Sequence, residues 1–125
     1  MKFLKPKIII SKCLEFDTCR YDGQMINNSY IKKMKKFIDF SPVCPEAEIG
    51  MGTPRKPIRI VHKNKQIHLY QSETNIDFRK KMDTFSNNYI SDIKQVDGFI
   101  LKSASPSCGI RSTKIFSNKS PAPIG

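Results

Sequence analysis

Cys13, Cys19, Cys44 and Cys108 are the residues of this chain best equipped for chemistry. Three of them lie just beyond short apolar runs: Lys7 to Ser11 precedes Cys13, Phe40 to Val43 precedes Cys44, and Phe99 to Lys102 leads to Cys108. Thiolates are soft metal ligands and strong nucleophiles. In a reducing compartment four cysteines argue for ligation, catalysis or inert burial rather than for disulfides. Any one of them alone reads equally well as a buried apolar residue. As a set, each beside turn-forming or proline neighbours, they read as a site.

Two metal chemistries suit such a set. Zinc favours close pairs of the Cys-x-x-Cys kind, which are missing here, since even Cys13 and Cys19 are six apart. An iron–sulfur cluster is a wider object that takes thiolates from separate loops, and with three protein ligands one iron stays open to an outside atom. Spacing alone leaves both readings standing.

The elements that must position these thiols follow from periodicity. Ile8, Ile9 and Ile10 form an unbroken β-branched run, expected for a first, central strand covered on both faces of a parallel sheet. Asp22-Gly23 favours a turn in the polar loop that follows. Asn27, Asn28 or Ser29 can cap a helix from Ser29 to Asp39, which Ser41-Pro42 would stop, before a very short strand at Val43 and Cys44. Gly50 to Pro57 is too rich in Gly and Pro to be regular. Ile58 to His62 and Gln66 to Tyr70 alternate around Lys63-Asn64-Lys65 and suit a hairpin, with His62 and His68 as ordinary strand residues. Phe78, Met82, Phe85, Tyr89, Ile93 and Val96 recur at helical spacing and read as a core-packing helix closed by Asp97-Gly98. Phe99 to Leu101 then resumes a buried strand.

This order gives an α/β fold: a small three-layer Rossmann-like domain with a mostly parallel sheet, short at its C-terminal end. At 125 residues the chain suits one domain. The stretch from Arg111 to Gly125 lacks apolar periodicity and is expected to be a poorly ordered tail or the start of a further segment. No run approaches the roughly 18–20 apolar residues of a membrane span, so no membrane partner is expected and the expected location is the cytoplasm. Parallel sheets bind ligands beyond the carboxyl ends of their strands, where Cys13, Cys44 and Cys108 fall.

The formal net charge of +11 suggests a nucleic-acid partner. Lysine supplies 17 of the 22 cations and is spread along the whole chain, a skew that accompanies high Ile and Asn and low Ala. The densest group, Lys32, Lys33, Lys35 and Lys36, alternates with apolar residues at helical spacing and reads as a solvated helix face.

Ser11-Lys-Cys13-Leu, Cys19-Arg-Tyr-Asp-Gly23, Pro42-Val-Cys44-Pro-Glu46, Thr53-Pro-Arg55 and Leu101-Lys-Ser-Ala-Ser-Pro-Ser-Cys108-Gly109 together resemble the domain of unknown function 523 family, whose best understood members are 2-thiouracil desulfurases. The likeness spans Ile8 to Ile110 and implies a desulfurase-like iron–sulfur α/β domain over residues 1–110. It also implies a four-iron four-sulfur (4Fe-4S) cluster on Cys13, Cys44 and Cys108, with an open iron that takes sulfur from a small thiolated base such as 2-thiouracil in a non-redox desulfuration.

Within that resemblance Glu46 is the first choice for the group that activates water. Its alternative role is as an acceptor for backbone amides, Arg20 or Arg55. Ser103 and Ser105 are candidates to bond the substrate ring or cluster sulfides, or else shape the turn before Pro106. Cys19 is left over and is assigned beside the site with Arg20 and Asp22, which can brace the loop as an ion pair or face the substrate. Two function classes remain: a desulfurase, or a catalytically inactive cluster- or metal-binding module of a two-domain protein with a missing C-terminal domain. Sulfide release separates them. Strongly salt-dependent RNA binding would mark the third class, nucleic-acid binding.

Overall fold

The computed structural model describes residues 4–109 and 114–117. In chain order the elements are β1 (Lys7–Ser11), α1 (Ser29–Met34), β2 (Asp39–Val43), α2 (Pro45–Glu48), β3 (Arg59–Lys63), β4 (Gln66–Gln71), β5 (Ile76–Asp77), α3 (Arg79–Asp92), β6 (Gly98–Ile100) and β7 (Ile115–Ser117).

The isoleucine run behaves as its composition dictates. β1 is central in a parallel sheet ordered β2-β1-β6, and Ile9, Ile10 and Ser11 are buried. Ile10 packs with Leu14 and Ile31, and Phe16, Ile26, Met34, Phe40 and Ile100 close around them. Gly98 starts β6 where any Cβ would meet Ile8 Cδ1 at 3.3 Å, so a side chain there would press on the central strand.

The α/β reading holds, but parallel pairing is concentrated in this sheet. A second, mixed sheet is ordered β5-β4-β3-β7. Its β3–β4 pair is the expected antiparallel hairpin, turning at Asn64 and Lys65, both in the left-handed region that a tight two-residue turn requires. Ile58, Leu69, Phe78 and Met82 form the core here, with Ile60 and Phe85 packed against them. Thus Phe78, at the N-cap of α3, and Met82 are buried in this core with Phe85 packed beside them, the face that the periodicity marks.

Four expectations change. Asn28 caps α1 by accepting from the amides of Tyr30 and Ile31 at 3.0 and 3.1 Å, but the helix ends at Met34 instead of Asp39. Amides of Phe37 and Ile38 both turn back to the Met34 carbonyl, which reverses the chain into β2. Ser41-Pro42 therefore lies inside a five-residue strand, tolerated because β2 is an edge. Likewise α3 stops at Asp92 because residues 93–97 must lead the chain to β1, where the Asp97 amide donates to Lys7 O at 2.8 Å. Phe99, expected to be buried, is 57 % exposed on the edge strand β6. Finally, Ile115–Ser117, within the stretch read as a tail, pairs parallel to β3 as β7. Residues 110–113 and 118–125 of that stretch lie outside the described residues.

Lys32, Lys33, Lys35 and Lys36 are exposed, as a solvated face should be. His62 is exposed on β3, and His68 on β4 pairs through Nδ1 with Asp77 Oδ2 at 2.6 Å. Among the described residues no helix is long and apolar enough to cross a membrane.

Candidate functional site

The carboxyl ends of the three parallel strands deliver one cysteine each. After β1, the Lys12 amide donates to Val43 O at 2.8 Å and the Leu14 amide to Ser11 O at 3.0 Å, a tight turn that holds Cys13 at its centre. The amide of Ile26 fixes the far side by donating to Cys13 O at 2.7 Å. After β2, Cys44 takes the N-cap position of α2 with extended backbone, and Pro45 at the first helical position fits because its missing N–H would have no partner. After β6, Ser105 Oγ accepts from the Cys108 amide at 3.1 Å and the Ser107 amide at 3.3 Å, folding the Ser-rich loop around the third thiol.

One buried hydroxyl ties two of these exits together. Ser11, 1 % exposed at the end of β1, accepts through Oγ from the Lys102 amide at 2.8 Å. The loop carrying Cys108 thus starts from a fixed point beside Cys13.

All four cysteines are free, and all four line one cavity of about 540 Å³. Cys19 comes in from the first loop, and Cys44 Sγ donates to its carbonyl at 3.8 Å. The thiols sense one another. Burial pushes the Cys13 thiol up, and Cys108 and Cys44 push it further, against Arg20 and Lys102. Burial, then the charge and hydrogen bond of Cys44, push Cys19 up to about 12. Yet among the described residues no three His, Cys, Asp or Glu side chains gather tightly enough to hold a single metal ion. Soft thiol donors on separate loops around one cavity are of the ligand type that zinc and iron–sulfur centres both take.

Glu46 lines the same cavity from the first turn of α2. Its Oε2 accepts from Ser107 Oγ at 3.3 Å, and its Oε1 from Arg55 Nε at 3.4 Å. Arg55 also donates through Nη1 to Gly52 O at 2.9 Å and Thr53 Oγ1 at 3.2 Å, and through Nη2 to Cys44 Sγ at 4.0 Å. Among apolar and neutral neighbours, the wall's other charged side chains are all basic: Lys12, Arg20, Arg59, Lys102 and Lys114. Lys12 pairs with Asp17 at 3.4 Å, and Arg59 lies over the Phe116 ring at 4.5 Å. A cavity so lined favours ligands that carry negative charge.

The structure therefore gathers Cys13, Cys19, Cys44, Cys108, Glu46, Arg20 and Ser105 at one cavity. Ser103 is exposed outside its wall, where its carbonyl accepts from Lys102 Nζ. Asp22 is exposed too; its Oδ1 accepts from the Gln24 amide at 3.0 Å and its Oδ2 pairs with Arg20 at 3.9 Å, the bracing arrangement. The Arg55–Glu46 pair is one of the alternatives that the sequence offered for Glu46, whereas Ser11, Ser107 and the contacts of Arg55 with Cys44, Gly52 and Thr53 were passed over. Their signal was faint, being only that Ser11 and Ser107 lie inside motifs that carry a cysteine.

A family model described as 2-thiouracil desulfurase matches residues 8–123. Among curated proteins, the uncharacterized protein YbbK of Bacillus subtilis (strain 168) is 28 % identical over 116 residues, covering 82 % of this chain and 72 % of that protein. Among solved structures, the [4Fe-4S]-dependent thiouracil desulfidase TudS superposes with a TM-score of 0.65 at 23 % identity, covering 91 % of each chain, and so shares the fold. With nearly its whole length matched by the family model, the chain belongs to the 2-thiouracil desulfurase family.

Proposed function

We propose that this chain removes sulfur from a thiolated pyrimidine without net redox change, exchanging a thiocarbonyl and water for a carbonyl and hydrogen sulfide. The observation that carries the reading is the convergence of Cys13, Cys44 and Cys108, from three parallel strand ends, on a cavity that also holds Glu46. Those three thiols are the donors for a 4Fe-4S cluster, and as soft ligands drawn from separate loops onto one cavity they suit one. Bound there with three protein ligands, the cluster supplies an open iron, a Lewis acid for sulfur.

The protein's own share of the work is proton handling, charge compensation and enclosure. Glu46, oriented by Ser107, takes the proton from the water that attacks the thiocarbonyl carbon. Ser105 keeps the Cys108 loop folded by accepting at Oγ from the amides of Ser107 and Cys108. Lys12, Arg20 and Lys102 line the same cavity as the thiols and offset the negative charge that sulfur departure develops. The cavity, about 540 Å³, is within the range that encloses small ligands.

Protein reconstituted with iron and sulfide under anaerobic conditions is expected to release one sulfide per uracil formed from 2-thiouracil, while Cys108→Ala releases none. Brown, cluster-loaded protein with no sulfide release would overturn the activity and leave a binding module.

A further inference from the structure

Arg55 is a charged side chain only 4 % exposed, and the reaction outlined above gives it nothing to do. Taking a guanidinium out of water costs several kcal/mol unless its donors are met, so its partners reveal what holds it there. They point in three directions. Nε reaches the Glu46 carboxylate at 3.4 Å, Nη2 reaches Cys44 Sγ at 4.0 Å, and Nη1 reaches Gly52 O and Thr53 Oγ1 at 2.9 and 3.2 Å. Its own amide donates to Tyr21 O at 2.7 Å, which anchors the residue to the loop beyond Cys19.

Beyond Ser107 on Glu46 and the Cys19 carbonyl on Cys44, the groups it joins have little support of their own. Glu46 stands on α2, a helix of four residues, too short for its backbone bonds to fix a long side chain. The Gly50–Pro57 segment has no strand or helix of its own. We propose that Arg55 is a positioning residue whose planar fork clamps the Glu46 carboxylate and the Cys44 sulfur at a fixed mutual distance across the cavity. Lysine carries the charge but offers a single ammonium, which cannot face a carboxylate, a sulfur and two loop oxygens at once. The consequence for turnover rests on the role given to Glu46 above; the clamp itself does not.

The test is a double-mutant cycle on the full chain with Arg55→Gln, Glu46→Gln and the pair, and with Arg55→Lys as a second Arg55 variant should Arg55→Gln fail to fold. In the metal-free protein, urea midpoints of the single variants are expected to fall by more in sum than the double variant falls, because each single change strands a buried charge. Additive midpoints would overturn the clamp. In cluster-loaded protein, kcat on 2-thiouracil is expected to drop on the order of a hundredfold in Arg55→Gln with KM little changed, and to drop no further when Arg55→Gln is added to Glu46→Gln. Arg55→Lys is expected to stay low in kcat; full activity in that variant would show that the fork is not needed. If wild-type protein shows no turnover, the functional reading fails by itself, and the metal-free cycle alone decides the clamp.

Discussion

Replacing Ser11 by alanine tests how the strand exits are locked together. Ser11 Oγ is the acceptor for the Lys102 amide at 2.8 Å, in a position 1 % exposed, with β1 on one side and the Cys108 loop on the other. The substitution removes one oxygen and leaves a negligible cavity, so the loss is that of a buried amide without an acceptor, about 1–3 kcal/mol. For a chain of this size each kcal/mol lowers the melting temperature by roughly 4 °C, which places the expected drop at about 4–12 °C. The assay is thermal and urea unfolding of the metal-free protein. Ser91→Ala is the control, because its hydroxyl donates to Asn87 O at 2.8 Å on an exposed face of α3 and its loss should shift stability by no more than about 0.5 kcal/mol. The same variant should retain less iron after anaerobic reconstitution, since the Cys108 loop loses its fixed starting point. Equal melting of Ser11→Ala and Ser91→Ala would refute the reasoning, as it would mean that the Lys102 amide does not depend on this acceptor.

Two further predictions concern titratable groups. With its thiol pushed up to about 12, Cys19 holds a thiolate fraction at pH 8 roughly a thousandfold below that of a thiol at 9.0, only partly offset by the greater nucleophilicity of the rarer thiolate. Iodoacetamide mapping of the metal-free protein should therefore find Cys19 far slower than the same cysteine in urea; equal rates would contradict its burial against Cys44. Asp77 is pushed up by burial, but the Arg79 amide and His68 outweigh that and leave its carboxyl below the usual range. Its contribution is thus complete above the unfolded value and lost as pH falls through the folded one. The side chain is 41 % exposed, so Asp77→Asn should cost no more than about 1 kcal/mol near neutrality and flatten the acid limb of a stability–pH curve. An unchanged acid limb would remove Asp77 from that account.

What the sequence made legible was whatever local pattern controls. Three β-branched isoleucines can hardly be other than a buried central strand, and alternation around Asn64-Lys65 encodes its own hairpin. The Phe78–Met82–Phe85 stripe marked a helix face correctly. Boundaries failed where tertiary pairing overrode periodicity. Ile38 extends the helical spacing of Tyr30 to Met34, but the next residues are taken by β1 as β2, so the helix stops short. β7 was illegible because Ile115–Ser117 is three residues long and gains its pairing from β3, far away in sequence. At the site, cysteines announced themselves by type and by strand exit. Polar partners did so only in part: the Glu46–Arg55 pair was offered as one alternative, but Ser11 and Ser107 matter through distances across 91 and 61 positions of chain, which no local pattern records. Ser103 shows the converse, a residue singled out by its motif that faces solvent.

Iron and acid-labile sulfide measured together per chain on anaerobically reconstituted protein, alongside the single variants Cys13→Ala, Cys19→Ala, Cys44→Ala and Cys108→Ala, bear most directly on the cysteine trio as a cluster site. The account predicts close to four iron and four sulfide in the wild type and in Cys19→Ala, with a sharp fall in each of the other three. A single bound ion without sulfide, or an equal fall in all four variants, would contradict it.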